Sequence, residues 1–249
     1  MIDIETSPLL GYSWEIWQTN ILKVIEPVKI ICAAWKFLGD KDIQVRALPD
    51  YDDYRPKDLL DRQLVQELWG LLDAADIVVA HNGNAFDLKI LNARFIAHGL
   101  NAPSSYHSID TLKAARKYFK FTSNKLDSLG EYLDEGRKVS TGGFDLWFKC
   151  MDGDPEAWAV MRHYNAGDIE LLERIYLRLR PFISNHPNLN AIEGKELSKN
   201  EVSCQVCQST NTVKRGFSTT KLGRYQRYQC NECASWFSGQ YERLKTAKE

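Results

Sequence analysis

Apolar and polar positions along the chain fall into two rhythms. Residues 11–18, 28–38 and 42–48 are rich in aromatic and β-branched side chains, and charged or turn-prone stretches separate them, which predicts three strands. From 57 to 75, Leu59, Leu60, Leu64, Leu68, Leu71 and Leu72 recur at helical spacing. The run Asp76-Ile77-Val78-Val79-Ala80 is short and apolar, as a buried strand is. Residues 84–98 predict a helix carrying Leu88, Ile90, Leu91 and Phe95. A short strand is expected before Asp110, then helices near 110–119, 124–134 and 143–150. A long helix is expected over 154–180, with Pro155 in its first turn. Strands first, then helix alternating with strand, imply a mixed α/β sheet flanked by helices. Trp14, Trp17 and Trp35 lie on the early strands, where core packing is expected.

The rhythm fails over 184–200, where Asn, Ser, Pro and Gly gather, a linker composition. The expected organisation is an α/β domain over 1–183, a linker over 184–200, a small module over 201–241 and a charged tail over 242–249. Composition narrows the class. With 44% hydrophobic and 26% charged residues in 249, the chain reads as globular rather than collagenous, coiled-coil or disordered. No apolar run approaches the roughly 18 residues that span a bilayer. Met1–Glu5 has neither the basic nor the apolar region of a signal peptide, so the cytoplasm is expected (host cytoplasm if the chain is phage-encoded). The net charge of −1 hides a split of −6 over residues 1–197 and +5 over 198–249. An acidic body with a basic tail implies two units with different partners.

The tail holds four of the six cysteines. Cys204 and Cys207 form one C-x2-C, and Cys230 and Cys233 another, 22 residues on. Two such knuckles present four thiolates to one structural Zn²⁺, whose preferred coordination is tetrahedral. The alternatives are a disulfide pair or a redox motif; the first suits secreted chains and the second needs no second knuckle. Cys32 and Cys150 read as small buried hydrophobes. Between the knuckles, Lys214, Arg215, Lys221, Arg224 and Arg227 interleave with Phe217, Tyr225 and Tyr228. Cations suit phosphates and aromatic rings stack on exposed bases, so Lys214, Arg215, Lys221, Arg224, Tyr225, Arg227 and Tyr228 are nucleic-acid-contact candidates. The competing reading is a purely structural module, or one that docks a replication or repair protein, with solvated charges.

Three motifs in the body carry carboxylates. In Asp3-Ile4-Glu5-Thr6, strand alternation sets Asp3 and Glu5 side by side, where they repel unless a cation or proton compensates. In His81-Asn82-Gly83-Asn84-Ala85-Phe86-Asp87, a strand ends and Asp87 opens a helix, a place where functional groups collect, although a helix-capping role is the alternative. In His163-Tyr164-Asn165-Ala166-Gly167-Asp168, Asp168 lies within a helix. Together Asp3, Glu5, Asp87 and Asp168 are hard oxygen ligands suited to two Mg²⁺ or Mn²⁺ ions, which activate a water and stabilise a leaving oxygen in phosphoryl displacement. Asn82 and Phe86 shape the second motif. Phe86 is placed to stack on a terminal base or to pack in the core. Asp110 is a further carboxylate or a helix start.

These motifs resemble those of the DEDD 3′–5′ exonucleases of the ribonuclease H-like superfamily, over about residues 1–180. Asp3-Ile4-Glu5-Thr6 matches the first motif, the segment ending in Asp87 the second, and Tyr164 to Asp168 the third. In detail the chain is similar to the proofreading exonuclease of family B DNA polymerases and to free-standing phage or bacterial relatives, through Ser108–Leu112 and the helix from Leu126 to Leu133 as well. The resemblance implies a ribonuclease H-like mixed sheet and metal-dependent removal of nucleotides from a 3′ end; it does not specify the substrate, for which single-stranded or 3′-ended DNA is the leading expectation. RNA and an inactive binding or recruitment module are the alternatives. Family members place either Tyr four residues, or His five residues, before the last aspartate, and this chain has both. On a regular helix Tyr164 lies about 40° from Asp168 and His163 about 140° away, which favours Tyr164 (the DEDDy type) as the group that orients the water, with His163 the alternative. The family's first strand has several apolar residues before its aspartate. Here only Met1 and Ile2 precede Asp3, which implies a clipped strand or a true start further upstream. The tail over 204–238 resembles the zinc ribbons at the N-termini of some transposase-associated DNA-binding proteins. It departs from them in having Gln208 and Ala234, not glycine, after the knuckles.

Overall fold

The computed structural model describes residues 1–17, 20–194 and 201–244. Gln18 of the first expected strand, residues 195–200 of the expected linker and 245–249 of the expected tail lie outside them. The chain divides into two compact units, Met1–Ile175 and Tyr176–Glu249.

The first unit begins with β1 (Ile2–Thr6), β2 (Leu10–Tyr12), β3 (Lys23–Glu26), β4 (Ile30–Trp35) and β5 (Gln44–Ala47). Helix α1 (Arg62–Asp73), β6 (Ile77–Ala80), α2 (Asp87–Ala97), β7 (His107–Asp110), α3 (Thr111–Tyr118), α4 (Leu126–Tyr132), α5 (Asp145–Asp152) and α6 (Pro155–Leu179) follow. β1, β4 and β5 form an antiparallel sheet in that order, with Asp3 opposite Ala34 and Glu5 opposite Cys32. β6 and β7 pair in parallel, joined across α2, and β6 runs beside β1. Antiparallel and parallel pairings together make the expected mixed α/β arrangement. β4 is buried at every position because its apolar run serves both faces of the sheet. Ile2 and Ile4 enter the same core, with Leu64, Leu68 and Leu72 of α1 and Leu88, Leu91 and Phe95 of α2. Cys32 and Cys150 pack inside as expected, and burial pushes both thiols up, that of Cys150 to about 12. Asp61, also buried, is held by a bidentate Arg94 at 2.6 and 2.7 Å and by His98 at 2.8 Å.

The strand expected over 11–18 is the main departure. Among the described residues there, only Leu10–Tyr12 is extended, pairing with β3, a strand the sequence reading missed because Lys23 and Glu26 break its apolar character. Trp14 and Trp17, expected in the core, are 86% and 81% exposed; Trp35 is buried. Helix α1 starts at Arg62, not 57, since Pro56 and the turn after it occupy the first residues. Asp154 caps α6 by accepting from the Glu156 N–H at 2.9 Å, with Pro155 next in the first turn.

The second unit continues with a helical turn, α7 (Leu189–Ile192), capped by the Asn188 side chain. Three strands follow, β8 (Thr212–Thr219), β9 (Gly223–Cys230) and β10 (Trp236–Arg243), in an antiparallel sheet with β9 central. Among the described residues no helix is long and apolar enough to cross a membrane.

Candidate active site and candidate metal centre

Strand alternation sends Ile2 and Ile4 into the core, so Asp3 and Glu5 share the opposite face of β1. A carboxylate oxygen from each meets one from Asp168 of α6, all within 4.8 Å of one another. Asp87, the first residue of α2, is buried beside this triplet rather than within it. Its Oδ1 accepts the Ile4 N–H of β1 at 3.1 Å. That bond ties the second motif to the first. Gly83 makes the intervening turn feasible, because a side chain there would collide with the Ala80 Cβ. Asn82 takes a left-handed φ of 66°, which asparagine tolerates. Asp110 is not part of the cluster. It caps α3 through the Leu112 and Lys113 N–H groups and holds the second-motif turn through those of Asn82 and Asn84.

Burial, more than repulsion, dominates the acidities. It raises Asp3 well above the usual carboxylate range, with Asp87, Glu5 and Asp168 adding to the shift. It raises Glu5 to about 7 and Asp87 to about 6. Asp168 is raised by burial too, against the opposing pull of Lys138. Lys138 is one residue the sequence reading missed. Its Nζ donates to Asp168 Oδ2 at 2.7 Å and to the Tyr164 hydroxyl at 3.2 Å. Burial works against its charge, but Asp168, Tyr164 and Asp3 together outweigh burial and the ammonium stays protonated. Asn165 was missed likewise; its Nδ2 donates to Asp3 Oδ2 at 2.6 Å. Asp168 Oδ1 and Asn165 Oδ1 are buried with no hydrogen-bond partner among the described residues. One ammonium faces four carboxylates, and spare buried acceptors remain. That all-oxygen, electron-rich donor set fits hard divalent cations.

Tyr164 and Asp168 stand one turn apart on α6, and Lys138 bridges them. Trp147 packs edge-on to the Tyr164 ring at 6.1 Å, and its indole slightly opposes the upward shift of Glu5. Burial raises the Tyr164 hydroxyl to about 12. His163 is exposed on another side of the helix. Phe86 is 42% exposed, so its core alternative does not hold.

In the second unit the four cysteines converge. Cys204 and Cys233 Sγ are 3.6 Å apart, Cys207 and Cys230 Sγ 3.5 Å, and all four lie within 4.8 Å of one another. A tetrahedron with 2.3 Å Zn–S bonds has edges of about 3.8 Å, so the four thiols fit zinc and are too far apart for disulfides. Gln208 and Ala234, after the knuckles, have φ of 62° and 59°, the conformation that favours glycine. The candidate nucleic-acid residues divide between two faces of the sheet. Lys214, Arg224 and Tyr228 share one with Phe237, which packs on the cysteines; Tyr225 and Arg227 lie on the other. Lys221 is in the β8–β9 turn, and Arg215 in the irregular stretch of β8 between Lys214 and Phe217.

The RNase_H_2 model of the RNase H superfamily matches residues 1–180. The chain belongs to that superfamily, which supports metal-dependent nuclease activity and a nucleic-acid substrate. No curated protein matches the chain.

Proposed function

We propose that the chain is a 3′–5′ exonuclease of the tyrosine type acting on single-stranded or 3′-ended DNA. The observation that supports this most is the convergence of Asp3, Glu5 and Asp168, with Asp87 hydrogen-bonded alongside. Asp3, Glu5, Asp87 and Asp168 are the residues that would hold two Mg²⁺ or Mn²⁺ ions, which when bound supply charge neutralisation of the scissile phosphate and a more acidic water. Asn165 fixes the Asp3 carboxylate. Tyr164, with its proton retained at neutral pH, orients the attacking water rather than deprotonating it. Lys138 holds Asp168 and places a positive charge where the phosphate's negative charge builds. The four cysteines hold one structural Zn²⁺, since four thiolates leave no position open for substrate. The basic sheet they support grips nucleic acid.

The test is degradation of labelled single-stranded DNA, duplex DNA and RNA with Mg²⁺ or Mn²⁺. Mononucleotide release from single-stranded DNA supports the reading. Exclusive turnover of RNA would replace DNA as the substrate, and no turnover of any of the three would leave a binding module.

A further inference from the structure

An antiparallel sheet with one packed face ordinarily turns polar residues to water on the other. The C-terminal sheet does not. Its inner face carries Phe237 and Tyr228, stacked at 5.4 Å, with Phe237 against the cysteines. On that face Arg224 is engaged twice, over the Phe217 ring at 3.9 Å and with Glu242 at 2.7 Å. The register places Tyr225, Arg227, Trp236, Tyr241 and Arg243 on the outer face. There Tyr225 and Tyr241 lie 4.9 Å apart, and Arg227 sits over the Trp236 ring at 5.4 Å. Trp236 is 51% exposed and Tyr241 43%.

Two features of this face select its occupant. None of its paired positions is acidic, and no carboxylate pairs with Arg227 among the described residues. Its aromatic groups are spaced rather than clustered. Trp236 pairs with Gln229 and Tyr241 with Tyr225, four residues apart on β9, or about 13 Å, with Arg227 between. At 3.4 Å per stacked nucleotide that distance covers about four bases. An apolar protein partner would leave the arginines unmatched, and a duplex hides its base faces from the rings.

We propose that this outer face is a binding platform for single-stranded nucleic acid, with Trp236 and the Tyr225–Tyr241 pair stacking on bases and Arg227 and Arg243 meeting phosphates. It rests on the reading of the chain as a nuclease, and it names which of the basic and aromatic residues do the gripping. Trp236 and Tyr241 join the candidates, and Arg224 leaves them.

The test is fluorescence anisotropy of a labelled 12-nucleotide single strand and its duplex with the zinc-loaded full chain, without Mg²⁺ or Mn²⁺. Under these conditions binding is read whether or not the first unit cuts. Trp236→Ala and Tyr241→Ala each weaken single-strand binding about tenfold. Arg227→Ala weakens it several-fold and flattens its salt dependence, and Arg224→Ala changes it less than twofold. Zinc content measured on every variant confirms that the sheet is intact, and Trp236→Phe, which keeps a ring, retains most affinity. Equal losses for Arg224→Ala and Arg227→Ala, a preference for duplex, or full affinity in Trp236→Ala with zinc retained would overturn the proposal. If the platform holds while the chain degrades no nucleic acid, the nuclease reading fails and this one stands.

Discussion

Lys138→Met is the sharpest perturbation of the acidic cluster. The substitution keeps much of the side chain's volume and removes the ammonium 2.7 Å from Asp168, whose side chain is 1% exposed. Breaking a fully buried ion pair costs about 3–5 kcal/mol, because a charge is left behind. The Lys138 side chain is 31% exposed, so solvent screening reduces this to about 2 kcal/mol. For a chain of this size that is a fall in Tm of roughly 4–8 °C. The pH dependence identifies the cause. Burial raises the acids, Glu5 to about 7 and Asp87 to about 6, so the folded state holds protons that the unfolded state has lost from about pH 4 upward. Metal-free stability therefore falls as pH rises through that window. The loss caused by Lys138→Met is largest at pH 8, where the carboxylates are ionised, and shrinks towards pH 5, where a proton replaces the missing ammonium. Mn²⁺ at 100 times its Kd restores about 2.7 kcal/mol at pH 8. The assay is calorimetry of zinc-loaded wild type and variant at pH 5 and 8, with and without Mn²⁺. An equal drop at both pH values would refute the electrostatic account and point to lost packing.

Other expectations follow from the same geometry. Tyr164→Phe lowers kcat for 3′-end removal by one to two orders of magnitude with little change in fold, and His163→Ala leaves it within twofold; a collapse confined to the histidine variant would reverse the assignment. Mn²⁺ affinity by titration calorimetry rises from pH 6 to 8 as protons leave Glu5 and Asp87, with proton release at pH 6; pH-independent affinity would show that these carboxylates are not ligands. Gln208→Gly and Ala234→Gly stabilise the C-terminal unit against urea by about 0.5–1 kcal/mol each, with the unfolding midpoint as readout. Gln208→Gly gains more, because it also removes a buried amide nitrogen that has no partner.

The site was legible where its residues carry a spacing. The shared face of Asp3 and Glu5 follows from strand alternation, the place of Asp87 from the junction of an apolar run with a helix, and the nearness of Tyr164 rather than His163 to Asp168 from the angle per residue. Lys138 carries no such signal. It lies in a loop between α4 and α5, among glycines and charges, and reaches Asp168 only through the tertiary fold. Asn165 was quoted within the third motif, but nothing in its spacing shows that its amide meets Asp3, 162 residues away. Helices α4, α5 and α6 were legible nearly to their ends because each buries one face, whereas α1 begins five residues later than its leucine spacing suggests. The first strands were less so. Trp14, Ile16 and Trp17 suggest a buried strand by composition, yet the chain bends at these residues and leaves all three exposed. The missing glycines after the knuckles marked two positions that the structure holds at positive φ.

The central claim is that the clustered carboxylates carry 3′-directed hydrolysis. The most direct measurement follows single-stranded DNA labelled at its 5′ end, with Mg²⁺ or Mn²⁺, using wild type, Asp3→Ala and Asp168→Ala. The account predicts a ladder shortening one nucleotide at a time from the 3′ end in wild type and a loss of at least a thousandfold in either variant, with zinc content unchanged. Immediate release of the 5′ label as a mononucleotide, internal cuts without a ladder, or turnover that survives either substitution would contradict it.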